Sequence, residues 1–315
     1  MTTIPLAYED FLVSMKQELS GYLGEDYQIE LKHIIKNNGI ILDGLLIRGF
    51  EESVSPSIYL NQYYEQFCDG RDFREIAEEI LNIYEQSNDE SREIGLNFRY
   101  EFNQMKSKIT FRIVNYEKNQ ILLRTIPHIR ILDLAVTFHC IVRIVDDGIG
   151  SIRITEEHRR AWKVELEDLW EIALENSRRL FPAVIRPMED VVMDLMEHNH
   201  ILEDENLLEF ENEFSDHSSM YVLTNQKGIN GASCLLYPNV LEEFSKKLGC
   251  DFYILPSSIH ELILVPQAQA LGKETRHTRV ELENMVKEIN ETQVAEEEVL
   301  SNSVYEYSVI KNLIA

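Results

Sequence analysis

The feature that most constrains the fold is a nearly uninterrupted apolar run, ILDLAVTFHCIVRI, at residues 131–144. A strand that is apolar on almost every residue is covered on both faces, so the run predicts a central strand of a sheet. Asp146, Asp147 and Gly148 follow it with the chemistry of a turn, and GSIRIT then runs back as its partner. The middle of the chain is therefore predicted to hold an antiparallel pair inside a covered sheet.

Hairpin signals recur along the rest of the chain. Apolar and polar residues alternate on both sides of Asn37-Asn38-Gly39, and Asn and Gly tolerate the positive φ that a tight turn needs. In the C-terminal hundred residues the predicted strands are MYVLTN, ASCLLY, DFYILP, HELILVP and SVYEYSV. Hairpins rather than parallel crossovers join these strands, which predicts an α+β fold of mostly antiparallel mixed sheets with helices packed on them, in two substructures.

Two stretches without apolar periodicity divide the chain. The polar stretch EQSNDESRE at 85–93 marks a boundary between residues 1–90 and an α+β domain at 91–315. We expect the N-terminal part to contain a helix, a three-stranded sheet and two helices. Residues 189–217 contain eleven acidic residues and no Lys or Arg, so we expect an acidic connector or lid there.

The charge balance restricts the partners of the protein. The chain of 315 residues has 55 acidic and 30 basic side chains, a formal net charge of −25. Such a charge repels nucleic-acid phosphates and anionic lipids unless basic residues cluster, and the sequence has no basic cluster. We therefore expect no direct nucleic-acid binding and no membrane contact, and we expect a protein partner to be basic. A surface that only maintains solubility is the alternative explanation of the charge.

The cysteines and the N-terminal residues indicate a compartment. Cys68, Cys140, Cys234 and Cys250 have neither Cys-x-x-Cys spacing nor the density of a disulfide framework, so they are interpreted as reduced thiols. The first residues lack the basic and apolar regions of a signal peptide, and no run of about 18 apolar residues occurs. The sequence thus predicts a cytoplasmic protein that does not span a membrane.

The strongest candidate for a site is the turn PSSIHE between two predicted strands. Ser257, Ser258, His260 and Glu261 are residue types that hydrolases and transferases use. The second histidine that a zincin helix needs does not follow His260-Glu261, and a Pro-Ser-Ser turn between two core strands explains the same residues. A catalytic site at Pro256–Glu261 and a purely structural turn both stay open.

Other constellations are weaker. His198, His200 and His217 match no compact metal-ligand motif, and QKGING lacks the spacing of a phosphate-binding loop. The Asp-Asp-Gly sequence at 146–148 is better explained as a turn than as a catalytic carboxylate pair. Cys234 lies in a strand predicted to be buried, where a thiol is unreactive. We predict no metal and no cofactor.

Several ordered motifs give the sequence a family resemblance. They are KNNGIILDGLLIR, SIYLNQYYEQF, IPHIRILDLAVTF, MYVLTNQKGINGASCLLYPNVLEEFSKKLGCDFYILPSSIHELILVP and INETQVAEEEVLSNSVYEYS. Together they resemble an uncharacterised domain-of-unknown-function family of clostridial bacteria over nearly the whole chain. The resemblance assigns no activity and no catalytic residue to this chain. It implies that some members of the family are encoded near integrative mobile elements. More loosely, IYLNQYYEQF, LEDLWEIALENSRRL and the segment ending in DFYILPSS look like a second uncharacterised family of bacterial cytosolic proteins.

Three functional hypotheses follow. Because turns or core packing explain every candidate constellation, the first is a non-catalytic cytoplasmic binding or assembly protein, an accessory protein of a mobile element. The alternative is a hydrolase or transferase with its site near the Pro256–Glu261 turn. A weaker alternative is an acidic DNA mimic, which requires carboxylates spaced along a surface like phosphates. The sequence leaves the oligomeric state open.

Overall fold

A computed structural model describes most of the chain, which divides into two compact units. The described residues are 6–49, 57–95, 102–145, 148–198, 220–267, 278–308 and 313–314. The first unit comprises Met1–Met105 with Arg160–Lys163, and the second comprises Lys106–Arg159 with Val164–Ala315. The domain boundary at residues 90–91 stays a prediction.

The first unit contains a three-stranded antiparallel sheet in the order β1-β2-β3. Its elements are α1 (Tyr8–Leu23), β1 (Tyr27–Ile35), β2 (Ile41–Gly49), β3 (Ser57–Tyr59), α2 (Asn61–Cys68), α3 (Phe73–Gly95) and α4 (Phe102–Met105). Helix α3 continues through the polar stretch at 85–93, because that stretch contains neither Gly nor Pro to end a helix.

The predicted β1–β2 hairpin is confirmed, and its turn is left-handed. Asn38 and Gly39 have φ values of 59° and 77°, a region that these two residue types enter most readily. The register places Ile29 opposite Ile47, and both side chains are buried. They pack with one face of α1, which contributes Phe11 and other apolar residues to the same core.

The second unit contains two antiparallel sheets. Its strands are β4 (Ile109–Asn115), β5 (His128–Ile131), β6 (Leu134–Val145), β7 (Gly148–Arg153), β8 (Ala183–Pro187), β9 (Tyr221–Asn225), β10 (Phe252–Leu255), β11 (Leu262–Pro266), β12 (Tyr305–Ser308) and β13 (Leu313–Ile314). Its helices are α5 (Gln120–Leu123), α6 (Glu156–Trp162), α7 (Leu166–Leu180), α8 (Met188–His198), α9 (Val240–Leu248) and α10 (Arg279–Thr292). Residues of α6 from Arg160 onward belong to the first unit.

Strand β6 is the centre of the four-stranded sheet, as its apolar run predicts. It pairs with β4 on one side, and with β5 followed by β7 on the other. Every residue from Leu134 to Cys140 is buried, so both faces of this part of the strand are covered. Helix α7 packs on β4, where Ser177 Oγ accepts a hydrogen bond of 3.1 Å from the backbone N–H of Phe111.

The six-stranded sheet has the order β13-β12-β10-β11-β9-β8, with every described pair antiparallel. Phe252 of β10 stacks on Tyr307 of β12 with ring centroids 5.0 Å apart, and Phe244 of α9 meets Phe252 edge-on. These rings join α9 to the middle of the sheet. The antiparallel pairing of all three sheets confirms the α+β fold class.

The expectation of a strand at ASCLLY is wrong. Residues Gly231–Leu236 form a 3₁₀-helix instead. Strand β9 precedes this segment and already has β11 and β8 as its two neighbours, so the returning chain has no free edge to pair with. A Cβ built on Gly231 would lie 2.1 Å from Thr224 Oγ1 and 2.4 Å from the backbone oxygen of His260. Only glycine permits this close approach.

None of the described helices is both long enough and apolar enough to cross a bilayer.

Candidate functional site

The predicted turn at 256–261 connects β10 to β11 and is hydrogen-bonded to a later part of the chain. The backbone N–H groups of Leu300 and Ser301 donate to the backbone oxygens of Ser257 and Pro256, at 2.9 and 2.8 Å. Ser258 forms an isolated β-bridge with Val299. The turn therefore serves as one side of a short main-chain ladder.

The Ser258 hydroxyl closes this turn. The side chain is 6% exposed, and its Oγ accepts a hydrogen bond of 3.0 Å from the backbone N–H of His260, two residues later. Ser and Thr often stabilise turns in this way. A nucleophilic serine instead donates its proton to a base, and the structure gives Ser258 no hydrogen bond to an imidazole. Ser257 is half-buried beside it.

Both ring nitrogens of His260 have partners of their own. Nδ1 accepts a hydrogen bond of 3.3 Å from the backbone N–H of Asn230, and Nε2 lies 3.3 Å from Glu298 Oε1. Because Nδ1 accepts, we assign the ring proton to Nε2, which donates to the carboxylate. The backbone oxygen of His260 accepts from Thr224 Oγ1 at 2.8 Å. His260 thus links three segments, and neither nitrogen faces a serine.

Glu261 has a perturbed carboxyl group. Burial raises its pKa above the usual range, the nearby His260 lowers it, and the Glu298 carboxylate raises it again. Such shifts occur at active sites and also in structural networks. The side chains of Ser257, Ser258, His260 and Glu261 form no hydrogen bonds with one another. Their proximity therefore comes from the turn, and the structure assigns them no joint catalytic geometry.

The other sequence candidates give no metal centre among the described residues. No group of three or more His, Cys, Asp or Glu side chains that could hold a metal ion occurs in the part of the chain that the structure describes. The predictions on residues 146–147 and 199–217 lie outside it, as does the side chain of His198. Burial raises the thiol pKa of both Cys140 and Cys234 to about 12, so neither is a ready nucleophile at neutral pH.

One polar cluster in the second unit could not be recognised from the sequence. Asp133, in the turn between β5 and β6, accepts hydrogen bonds from Ser301 Oγ at 2.5 Å, from Ser303 Oγ at 3.1 Å and from the Tyr305 hydroxyl. We call this the Asp133 cluster. Burial, and next the contact with Asp133, raise the pKa of Tyr305 above its usual range. The alternation Ser-x-Ser-x-Tyr at 301–305 is the only sequence signal for it.

A second cluster lies in the first unit. The Tyr8 hydroxyl donates to Asp43 Oδ2 at 2.6 Å and accepts from Asn61 Nδ2 at 2.8 Å. His33 Nδ1 lies 2.6 Å from the other oxygen of the same carboxylate, and its side chain is 78% exposed. The cluster ties the start of α1 to β2 and α2. It contains a His-Asp pair whose carboxylate also accepts a hydrogen bond from the Tyr8 hydroxyl.

The described part of the second unit also contains an open groove of about 560 Å³ beside the start of β4. It is lined by Ser107, Lys108, Ile141, Val142, Arg143, Ile144, Asn176, Arg179 and Leu180, which we call the cationic groove. Three of these residues are basic, and no carboxylate is among them. No sequence pattern indicates this site, because the three cations are far apart in the chain and come together only through the β4–β6 pairing and the packing of α7 on β4.

Hydrogen bonds fix the walls of the cationic groove. Asn176, which is 7% exposed, donates from Nδ2 to the backbone oxygens of Lys106 at 2.7 Å and Ile109 at 2.9 Å. Arg179 Nη2 donates to the backbone oxygen of Ser107 at 2.8 Å. These bonds attach the last turn of α7 to the chain just before β4. The groove is therefore formed before any ligand enters.

Comparisons with known proteins place the chain in a family. No curated protein and no solved structure matches it. One protein family, described as a family of unknown function (DUF5688), matches residues 8–309. The match extends over both units and includes the turn at 256–261, the Asp133 cluster and the cationic groove. The expected resemblance to a domain of unknown function over nearly the whole chain is confirmed, and the chain belongs to this family of unknown function, DUF5688.

Proposed function

We propose that the protein is a non-catalytic cytoplasmic binding or assembly protein, and that its cationic groove binds an extended acidic segment of a partner protein. The observation that carries this proposal is the local reversal of charge. In a chain with 55 acidic and 30 basic residues, Lys108, Arg143 and Arg179 line one groove without a carboxylate among its described residues. Charge complementarity of this kind selects partners and speeds their encounter.

The groove follows the edge of a strand. Ile141, Val142, Arg143 and Ile144 are consecutive in β6, and all four line it. Because neighbouring side chains of a strand point to opposite faces, consecutive residues can share a groove only where it runs along the strand edge. Strand β4 pairs with β6 only as far as Cys140, which leaves this part of β6 with β7 as its described strand neighbour. Extended peptides bind at such edges.

The net charge limits the partner to a short acidic segment. At physiological salt, charges further apart than about 8 Å are largely screened, so a segment inside the groove responds mainly to the three cations. A long polyanion such as DNA would also approach the acidic remainder of the surface. The groove therefore favours a peptide over a nucleic acid. The exposed side chain of Ile144 gives an apolar residue of such a peptide a contact beside the cations.

The remaining hypotheses receive less support. A hydrolase or transferase at the turn needs a serine paired with a base, but Ser258 and His260 each have other partners. The basic partner expected for the acidic connector stays a prediction, since residues 199–217 lie outside the described part of the chain. The mobile-element role and the acidic DNA mimic also stay predictions. Four free cysteines support the cytoplasmic location.

A peptide-binding experiment tests the proposal. A labelled peptide of alternating Glu and Val is titrated with the full chain, and peptides of alternating Gln and Val or Lys and Val serve as comparison. We expect binding of the acidic peptide alone, weakened about tenfold by Lys108→Glu. Lys287→Glu on α10 is the matched control, because it makes the same charge change at an exposed lysine outside the groove. Equal binding of the Glu and Gln peptides, or equal losses in the two variants, would overturn the proposal.

A further inference from the structure

A second, smaller cavity lies between β4 and the segment that follows β9. Its lining includes Arg112 on one side, and Asn225, Asn230 and Ser233 on the other. Its volume of about 10 Å³ is room for one particle close to the size of a water molecule. The cavity belongs to the second unit alone and shares only Ile141 with the lining of the cationic groove.

Arg112 lines this cavity, and none of the described residues places an opposite charge beside it. The half-buried guanidinium donates a hydrogen bond of 2.7 Å from Nη2 to Ser151 Oγ, and no carboxylate of the described residues contacts it. Burial and, after it, the positive charge of Arg153 lower the pKa of Arg112 to about 10. The neighbouring His139 is neutral, because burial and then the two arginines hold its pKa well below the usual range, and a neutral ring cannot offset the charge of Arg112. A buried cation normally has an anionic partner.

Ser233 supplies an independent observation on the opposite wall. Its side chain is 4% exposed, and its buried Oγ has no hydrogen-bond partner among the residues that the structure describes. A buried hydroxyl without a partner is costly and calls for an occupant. A hydroxyl can donate to whatever fills the cavity, as can the unused N–H groups of Arg112. The cavity therefore presents donors from two sides.

Several other polar groups of the lining are already engaged. Asn225 Nδ2 donates to the backbone oxygen of Ile229 at 2.9 Å, and Asn225 Oδ1 accepts from the backbone N–H of Lys227 at 2.9 Å. The backbone N–H of Asn230 donates to the His260 ring. The cavity thus has a positive charge and a spare hydroxyl donor. This combination suits a negatively charged hydrogen-bond acceptor better than a neutral molecule.

We infer that this cavity binds one small monovalent anion, chloride, between Arg112 and Ser233. The narrow space between the two walls favours a monatomic anion over the larger tetrahedral oxyanions such as phosphate and sulfate. A bound chloride offsets the charge of Arg112 and accepts from the orphan hydroxyl of Ser233. It joins β4 to the segment 225–237, so occupancy stabilises the second unit. The inference does not depend on the peptide-binding proposal, because neither Arg112 nor Ser233 lines the cationic groove.

Bromide, which scatters anomalously, locates the site directly. Crystals of the full chain are grown in sodium bromide, and an anomalous peak is expected between Arg112 and Ser233. The peak should disappear in Arg112→Met, which keeps the stem of the side chain and removes its charge. It should persist in Arg143→Met, the matched change in the cationic groove. Water or empty space at this position at saturating bromide would overturn the inference.

Thermal unfolding gives a second test in solution. Replacing sodium gluconate by sodium chloride at constant ionic strength should raise the Tm by about 3 °C, since a ligand that binds only the folded state stabilises it. The rise should be lost in Arg112→Met and reduced in Ser233→Ala, a change small enough to preserve the fold. An equal rise in all three proteins would show a general salt effect and contradict the site.

Discussion

The Tyr305 hydroxyl donates a hydrogen bond to the carboxylate of Asp133, 172 residues earlier in the chain. Ser301 and Ser303 donate to the other oxygen of the same carboxylate. One acidic side chain in a turn of the four-stranded sheet thus anchors the segment that leads into β12 of the six-stranded sheet. The Asp133 cluster is therefore a structural connection between the two sheets of the second unit.

Removing this carboxylate should destabilise the second unit. Asp133→Ala leaves three hydroxyl donors without their acceptor, and we expect a loss of about 2–4 kcal/mol in the free energy of unfolding. Tyr305→Phe removes one donor and should cost about 1–2 kcal/mol. Urea denaturation measures both. Tyr253→Phe on β10 is the matched control, and an equal effect of the two tyrosine variants would contradict the role of the cluster.

The close packing around Gly231 gives a second prediction. Gly231→Ala places a methyl group 2.1 Å from Thr224 Oγ1 and 2.8 Å from the backbone nitrogen of Asn225, so the segment must move. We expect a loss of at least about 2 kcal/mol in the free energy of unfolding. Gly21→Ala in α1 is the control. It meets nothing within 4 Å and should stabilise by about 0.5–1 kcal/mol. Similar Tm values for the two variants would be incompatible with this packing.

Glu261 gives a prediction on pH. Its pKa is raised in the folded protein, so the folded state binds the proton more tightly than the unfolded state. The group therefore favours folding at pH values below its unfolded pKa, and this contribution disappears as the pH rises through the folded pKa. Relative to the wild type, Glu261→Gln should raise the Tm at pH 7 and change it little at pH 4. A larger gain at pH 4 than at pH 7 would contradict the direction of the shift.

The four thiols should differ in reactivity with a maleimide. Cys68 is exposed and Cys250 is half-buried, whereas Cys140 and Cys234 are buried with pKa values raised to about 12. Because the thiolate is the reactive form, we expect Cys68 to be labelled first in the native protein and the two buried thiols only after unfolding. Mass spectrometry after timed quenching measures the order. Early labelling of Cys234 would show that the 3₁₀-helix opens readily.

Local signals in the sequence were sufficient for much of the fold. The residue types of Asn38 and Gly39, which tolerate positive φ, predict the first hairpin, and both residues have positive φ in the structure. The apolar run of β6 predicts the central strand. The prediction failed at Gly231–Leu236, because a strand also needs a free neighbour and β9 has none. No local pattern reports which strand edges are already occupied.

The sites were harder to predict than the fold for the same reason. The turn at 256–261 attracted attention because its polar residues are adjacent in sequence, but their partners lie at Asn230 and at 298–301. Lys108 and Arg179 each resemble an ordinary solvated charge in the sequence. They line a common groove only after β4 has paired with β6 and α7 has packed on β4.

Covalent mapping of a bound peptide tests the central claim most directly. An alternating Glu-Val peptide carries a succinimidyl ester at one end only, so that its Glu carboxylates keep their charge, and it is added to the native protein to acylate nearby amines with release of N-hydroxysuccinimide. Mass spectrometry then identifies the modified lysines. The proposed function predicts that Lys108 is modified far more than Lys287, which is also exposed. Modification of both lysines to the same extent would show that the cationic groove does not bind the acidic peptide.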